Sequence, residues 1–227
     1  MKIPVNKIFW ILTAVVLGLL AIYTFTILSG KFFALTLPEF IVARFNINGE
    51  ANIPTWYSTI LLFSVSAASL LIYGLSLRLP KNGQRLRAFW LGFGSVYAFF
   101  SLDEAAMIHE IFDRLTLVKW FYVYAPVIGL FYLASFYYFF VVRKEDHAVR
   151  NWIIGGLVVF AFGGIACEWY AYTFPMTYAA RQIEYVLEEG SEMIGTVMVL
   201  MGCLLEFKGK FSKVFSAAAA NPDAAPN

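Results

Sequence analysis

Charge is scarce in this sequence. Asp, Glu, Lys and Arg together make up 14% of it, against about a quarter in a soluble domain. With 60% hydrophobic residues, that shortfall excludes an ordinary soluble domain and places the chain among membrane proteins. Cysteine is limited to Cys167 and Cys203, both inside apolar runs, so neither a disulfide framework nor a zinc ribbon is expected. Histidine is limited to His109 and His147, which argues against bis-histidine haem and hydrolases that need several imidazoles. Glu-x-x-His does not occur, which disfavours the carboxylate di-iron sites of helical bundles. A glycine-rich phosphate loop, a Ser-His-Asp order and a basic nucleic-acid patch are also missing, so no nucleic-acid partner is expected.

What is present in abundance is long apolar runs. A helical crossing needs about twenty mostly apolar residues, and six segments qualify: 7–29, 55–79, 87–112, 118–142, 151–173 and 183–205. The first follows a basic start without a small-residue cleavage site, so it reads as an uncleaved span and not a signal peptide. Pro54 and Pro80 bracket the second span, and Pro126 lies inside the fourth. The loop between the first two spans contains "PEFIVARF", read as a short interfacial helix from Pro38, and "NGE", read as a turn. The predicted fold is an all-α polytopic bundle of six transmembrane helices over residues 1–213, with a disordered cytoplasmic tail at 214–227.

The few charges are sorted by side. The N-terminus, the 78–87 loop, the 143–150 loop and the C-terminal end hold 12 of the 17 Lys and Arg residues. By the positive-inside rule that side is cytoplasmic, with both termini inside. Of the 15 acids, only Glu145, Asp146, Glu206 and Asp223 lie there. The other acids gather at the opposite, outer end. At 1.5 Å per residue, Asp103 stands about 24 Å above Arg87, and Glu168 about 27 Å above Arg150. On the same measure Glu188 and Glu192 stand roughly 27 and 21 Å above Glu206. Three distant helices thus bring carboxylates to one depth near the outer boundary, where lipid exposure is costly and an enclosed polar site is expected.

Helical phase sorts the candidates further. Asp103, His109, Glu110 and Asp113 share an arc of about 120°, with Glu104 pointing elsewhere. Glu184, Glu188, Glu189 and Glu192 share another face, of about 140°. Crowded carboxylates need protons or a bound cation, and oxygen donors with one imidazole suit a divalent metal ion. The expected donors are Asp103, His109, Glu110, Glu168, Glu188 and Glu192, with Glu104 and Glu189 as acid or base. The bland alternatives are helix ends that are simply solvated, which fits Asp113 and Glu184, and interhelical hydrogen bonding by Asp103 and Glu104. Glu188 and Glu192 resist a structural explanation, because like charges one turn apart repel. Glu50 and Asn52, just outside the second span, could cap the polar site but read first as loop solvation, and the aromatic wealth of the fourth span reads as lipid anchoring.

"GEANIPTWYS", "SLDEAAMIHE" and "EEGSEMIG" resemble an uncharacterised family of bacterial multi-span inner-membrane proteins, over about residues 45–206. The resemblance implies a multi-pass location in the bacterial inner (plasma) membrane and no particular activity. Three functions are compatible with the residues. The first is a metal-dependent protein acting on a lipid or other membrane-borne substrate. The second is a proton- or cation-coupled transporter, and the third a non-catalytic subunit of a membrane complex.

Overall fold

The structure, a computed structural model, describes residues 4–32, 37–78, 84–115, 119–143 and 146–220. It is all-helical over these residues. The long elements are α1 (Val5–Phe32), α3 (Ile53–Leu77), α4 (Gln84–Ala106), α6 (Trp120–Tyr137), α7 (His147–Ala161) and α9 (Tyr178–Ala220). Short helices α2 (Glu39–Arg44), α5 (Ile108–Leu115) and α8 (Glu168–Thr173) complete the set. π-Helical turns at Tyr138–Val142 and Phe162–Cys167 extend α6 and join α7 to α8. The breaks follow local chemistry. α2 starts after Pro38, and the Asn52 side chain accepts the Thr55 N–H at the start of α3, with proline in its first turn, both ordinary helix-start devices.

Among the described residues five stretches are long and apolar enough to cross a membrane: Val5–Ser29, Ile53–Leu77, Trp120–Val142, His147–Thr173 and Tyr178–Ser212. α4, expected to be the third span, is not among them. Its apolar content is diluted by Gly92, Gly94, Ser95 and Ser101, and then by Asp103 and Glu104. It nevertheless packs along α3, with the Ser66 hydroxyl bonded to the Gly94 carbonyl at 2.8 Å. The expectation of one continuous helix over 87–112 fails at Met107, where the chain turns before α5. The expected tail is also corrected in part: residues 214–220 continue α9 as helix, in keeping with the high helix propensity of their alanines, while 221–227 lie outside the described residues.

α9 is the axis of the bundle and packs against α1, α3 and α7. Association inside a bilayer depends on close packing more than on hydrophobic exclusion, and glycines supply it here. A Cβ on Gly156 would sit 2.6 Å from the Gly195 carbonyl, and one on Gly195 2.5 Å from the Phe160 nitrogen. The core towards the basic end is aromatic. Trp90, Phe93, Tyr97 and Phe139 are buried there, Phe89 stacks on Tyr138 at 3.7 Å, and the Trp90 indole donates to the Tyr138 hydroxyl at 3.1 Å. At that end Glu206, only 2% exposed, hydrogen-bonds Arg143 and lies 3.4 Å from Lys210. Arg143 also reaches Asp146, at 3.6 Å.

Candidate functional site

At the opposite end a cavity of about 130 Å³ opens between α3, α4, α6, α9 and the π-helical turn. Its wall carries seven carboxylates, Glu50, Asp103, Glu104, Glu168, Glu188, Glu189 and Glu192, together with His109. Among the described residues lining it, His109 is the one basic side chain. Leu62, Phe100, Tyr132 and Phe160 line its apolar side. A wider vestibule of about 580 Å³ shares Glu50, His109, Trp120, Glu168, Glu188 and Glu189 with the cavity and adds Glu110, Lys119, Arg181 and Glu184.

Asp103 is the hub. Its Oδ1 accepts the His109 backbone N–H at 2.8 Å and the Tyr124 hydroxyl at 3.1 Å, and its Oδ2 lies 3.1 Å from His109 Nδ1. Backbone N–H groups in the first turn of a helix lack partners within it, so the first of these bonds stabilises the start of α5. The break itself is held at Met107, whose φ of 54° lies in a region that non-glycine residues seldom occupy. An ionised Asp103 can only accept, so it fixes a proton on Nδ1, and in the neutral imidazole the lone pair then sits on Nε2. Carboxylate–imidazole pairs of this kind orient histidines as metal ligands or bases.

The other acids arrive by different devices. Glu168 follows the π-helical turn, and its Oε1 accepts the Trp120 indole N–H at 2.9 Å. Within that turn Gly163 and Gly164 press against α9. A Cβ on Gly163 would stand 2.5 Å from the Glu188 carbonyl, and one on Gly164 would collide with the Glu192 carboxylate. Such turns are frequent at functional sites, and here the missing side chains make room for α9's acids. Glu50 comes from the loop before α3. That loop is folded on itself by Asn52, whose amide donates to the Asn46 carbonyl at 2.6 Å and to the Gly49 carbonyl. Burial raises the pKa of Glu50 above its ordinary value; His109 opposes that rise, while Glu110 and Asp103 add to it.

The expected residues therefore divide. Asp103, Glu104, His109, Glu168, Glu188, Glu189 and Glu192 line one cavity. Glu104 joins them despite its different helical phase. Glu110 stands in the vestibule instead, paired with Arg114 at 2.7 Å, and Glu184, 5% exposed, is paired with Arg181 at 3.4 Å. The Asp113 side chain lies outside what the structure describes. Among the described residues no three His, Cys, Asp or Glu side chains already surround one point as a metal would require. The sequence reading missed Trp120 and Tyr124 as cavity walls and ranked loop solvation above a place at the site for Glu50, which lines the cavity. The available signal was the i, i+4 spacing of Trp120 and Tyr124, two aromatics with polar handles, at the depth of Asp103.

Over the described residues these features define an all-helical bundle with five helices long and apolar enough to cross a membrane and an acidic, partly enclosed cavity at one end. The chain belongs to the family described as Domain of unknown function (DUF8692), whose model matches residues 9–207. No curated protein and no solved structure matches it.

Proposed function

We propose that the protein is a six-span bacterial inner-membrane protein that binds a divalent metal ion in the carboxylate cavity and acts there on a lipid or other membrane-borne substrate. In this reading α4 with α5 is the sixth crossing, the basic end is cytoplasmic by the distribution of Lys and Arg, and the cavity faces the periplasm. The observation that carries it is the gathering of seven carboxylates from a loop and three helical segments around a single imidazole. Repulsion among such groups is offset by protons or by a bound cation, and the donor set of oxygens plus one nitrogen suits a hard or borderline divalent ion.

His109 Nε2, Glu168, Glu188 and Glu192 are the donors, and Asp103 orients the imidazole. Glu110, at the vestibule, contributes to attraction of the cation. Glu104 and Glu189 are placed in the same wall to exchange protons with a substrate. Because no three such side chains among the described residues already converge, loading requires the carboxylates to change rotamer. The transporter alternative needs a polar path beyond the cavity. Thr196 and Ser95 instead spend their hydroxyls on the Glu192 and Leu91 carbonyls, and Tyr97 is buried among Phe93, Phe100 and Phe131.

Metal analysis of the full-length protein purified in mild detergent, followed by titration with Mn²⁺, tests this. The expected result is saturable binding that raises the melting temperature and is lost in the Glu188→Gln/Glu192→Gln double variant while the fold persists. Absence of bound metal together with no thermal response to divalent cations would overturn it.

A further inference from the structure

The carboxylate cavity has a neighbour on the apolar side of the bundle. A cleft of about 360 Å³ runs between α6 and the α7–π-turn–α8 segment, with an almost wholly apolar lining. Ile128, Tyr132 and Ile165 belong to both the cleft and the cavity, so the two spaces adjoin across a single layer of side chains. Small residues create the cleft: Ala125 and Gly129 on α6 face Ala161, and a Cβ on Gly129 would meet nothing within 4 Å. It is bounded at both ends. Towards the acidic end Phe121 meets Tyr172 edge-on at 5.9 Å, and towards the basic end the Tyr132 hydroxyl donates to the Leu157 carbonyl at 2.8 Å. Around it Val127, Leu130 and Phe162 are exposed apolar side chains, as lipid-facing positions are. The result is a window in the side of the bundle, of a size typical of small-ligand pockets, roughly 300–1,000 Å³.

A ligand that fills both spaces has a hydrocarbon chain in the window and a head group among the acids. The charge of the wall selects that head. Seven carboxyl groups and one imidazole line the cavity, so it offers acceptor oxygens to an ammonium, which only donates, and, among the described residues lining it, no cation beyond His109 to a phosphate or carboxylate head. The aromatic rings of Trp120, Tyr124 and Phe100 on the same wall also favour a cation. We propose that the membrane-borne substrate is a long-chain amine, an amphiphile with one hydrocarbon chain and a cationic amine head, which reaches the cavity sideways from the bilayer through the α6–α8 window. This rests on the cavity being a cation site and adds to it the substrate class and its route.

The test uses full-length protein in phosphatidylcholine nanodiscs and two photoactivatable probes with the same chain and diazirine, one a long-chain primary amine and the other the corresponding carboxylic acid. The amine is expected to label peptides of α6 and α8 in preference to the acid. Gly129→Trp, which fills the window without a clash at Cβ, is expected to lower that labelling about tenfold or more, a difference of about 1.4 kcal/mol, with Mn²⁺ binding unchanged. Ala125→Trp serves as a second window variant should Gly129→Trp not fold. Amine labelling that persists in a folded window variant overturns the sideways route. Equal labelling by amine and acid overturns the amine head. In either case Mn²⁺ binding by the wild-type protein separately decides whether the cation-site reading stands.

Discussion

Two ends of this bundle bury carboxylates, and they treat them differently. At the basic end Glu206 is almost fully buried and has its counter-charges within reach: Arg143 is bonded to it and Lys210 lies 3.4 Å away. At the acidic end seven carboxylates share a cavity with one imidazole, while Arg181 and Lys119 line only the outer vestibule. A buried ion pair with both partners in place is self-sufficient, and removing one partner leaves an uncompensated charge. A wall of like charge has no such internal balance. The contrast separates a carboxylate that serves the fold from carboxylates arranged to receive something.

The largest expected effect is therefore at the matched end. Glu206→Ala removes the buried carboxylate that bonds Arg143 and lies beside Lys210, and the loss should be about 3–5 kcal/mol, read as a fall in melting temperature in detergent or as failure to accumulate. At the acidic end the reverse holds. Glu188→Gln with Glu192→Gln should leave stability unchanged or slightly raised, since like charges at i, i+4 cost about 0.2–0.5 kcal/mol, while divalent-cation binding disappears from a calorimetric titration. A large loss of stability in this variant would make the two ends equivalent and sink the comparison.

Asp103→Asn comes next. Asparagine retains an oxygen to accept the His109 and Tyr124 donors but no longer pairs electrostatically with the imidazole. Cation affinity should fall about 10–100-fold, the usual effect of losing an orienting partner, with the melting temperature of the empty protein little changed. The smallest effect concerns Glu50, which the fold protonates more readily than the unfolded chain does. Its stabilising contribution is complete below the ordinary value of 4.5 and is lost as pH rises through the raised value. Glu50→Gln should flatten the decline in melting temperature as pH rises from 4.5 through the raised value. An unaltered slope would show that Glu50 is solvated like an ordinary loop acid.

Several parts of the site could be read from the chain alone. Glu168, Glu188 and Glu192 lie at one depth because a helix rises by a fixed amount per residue, and counting from charged ends recovers that depth. Phase within one helix was less secure. It joined Glu110 to the cluster because it assumed a single helix past Met107, and it separated Glu104 from Asp103 although both lie on α4 and line one cavity. The positive φ at Met107 and the cap provided by Asp103 reset the direction of the chain there. Glu50 was hidden for a different reason: no periodicity governs a loop, and its placement depends on bonds made by Asn46 and Asn52.

By itself, then, the sequence determined the class of molecule and the sidedness of its charges, since both follow from solvent preference residue by residue. Long apolar runs must leave water, and Glu168, Glu188, Glu189 and Glu192 sit towards one end of the stretches that carry them. Only the tertiary structure decided that the acids face one another across a cavity, that Trp120 and Tyr124 form its wall, and that Glu206 has its own cations. Those facts depend on the rotation of each helix about its axis and on the distance between neighbours. Close glycine contacts, a π-helical turn and a broken α4 set both, and none of them leaves a periodic mark in the chain.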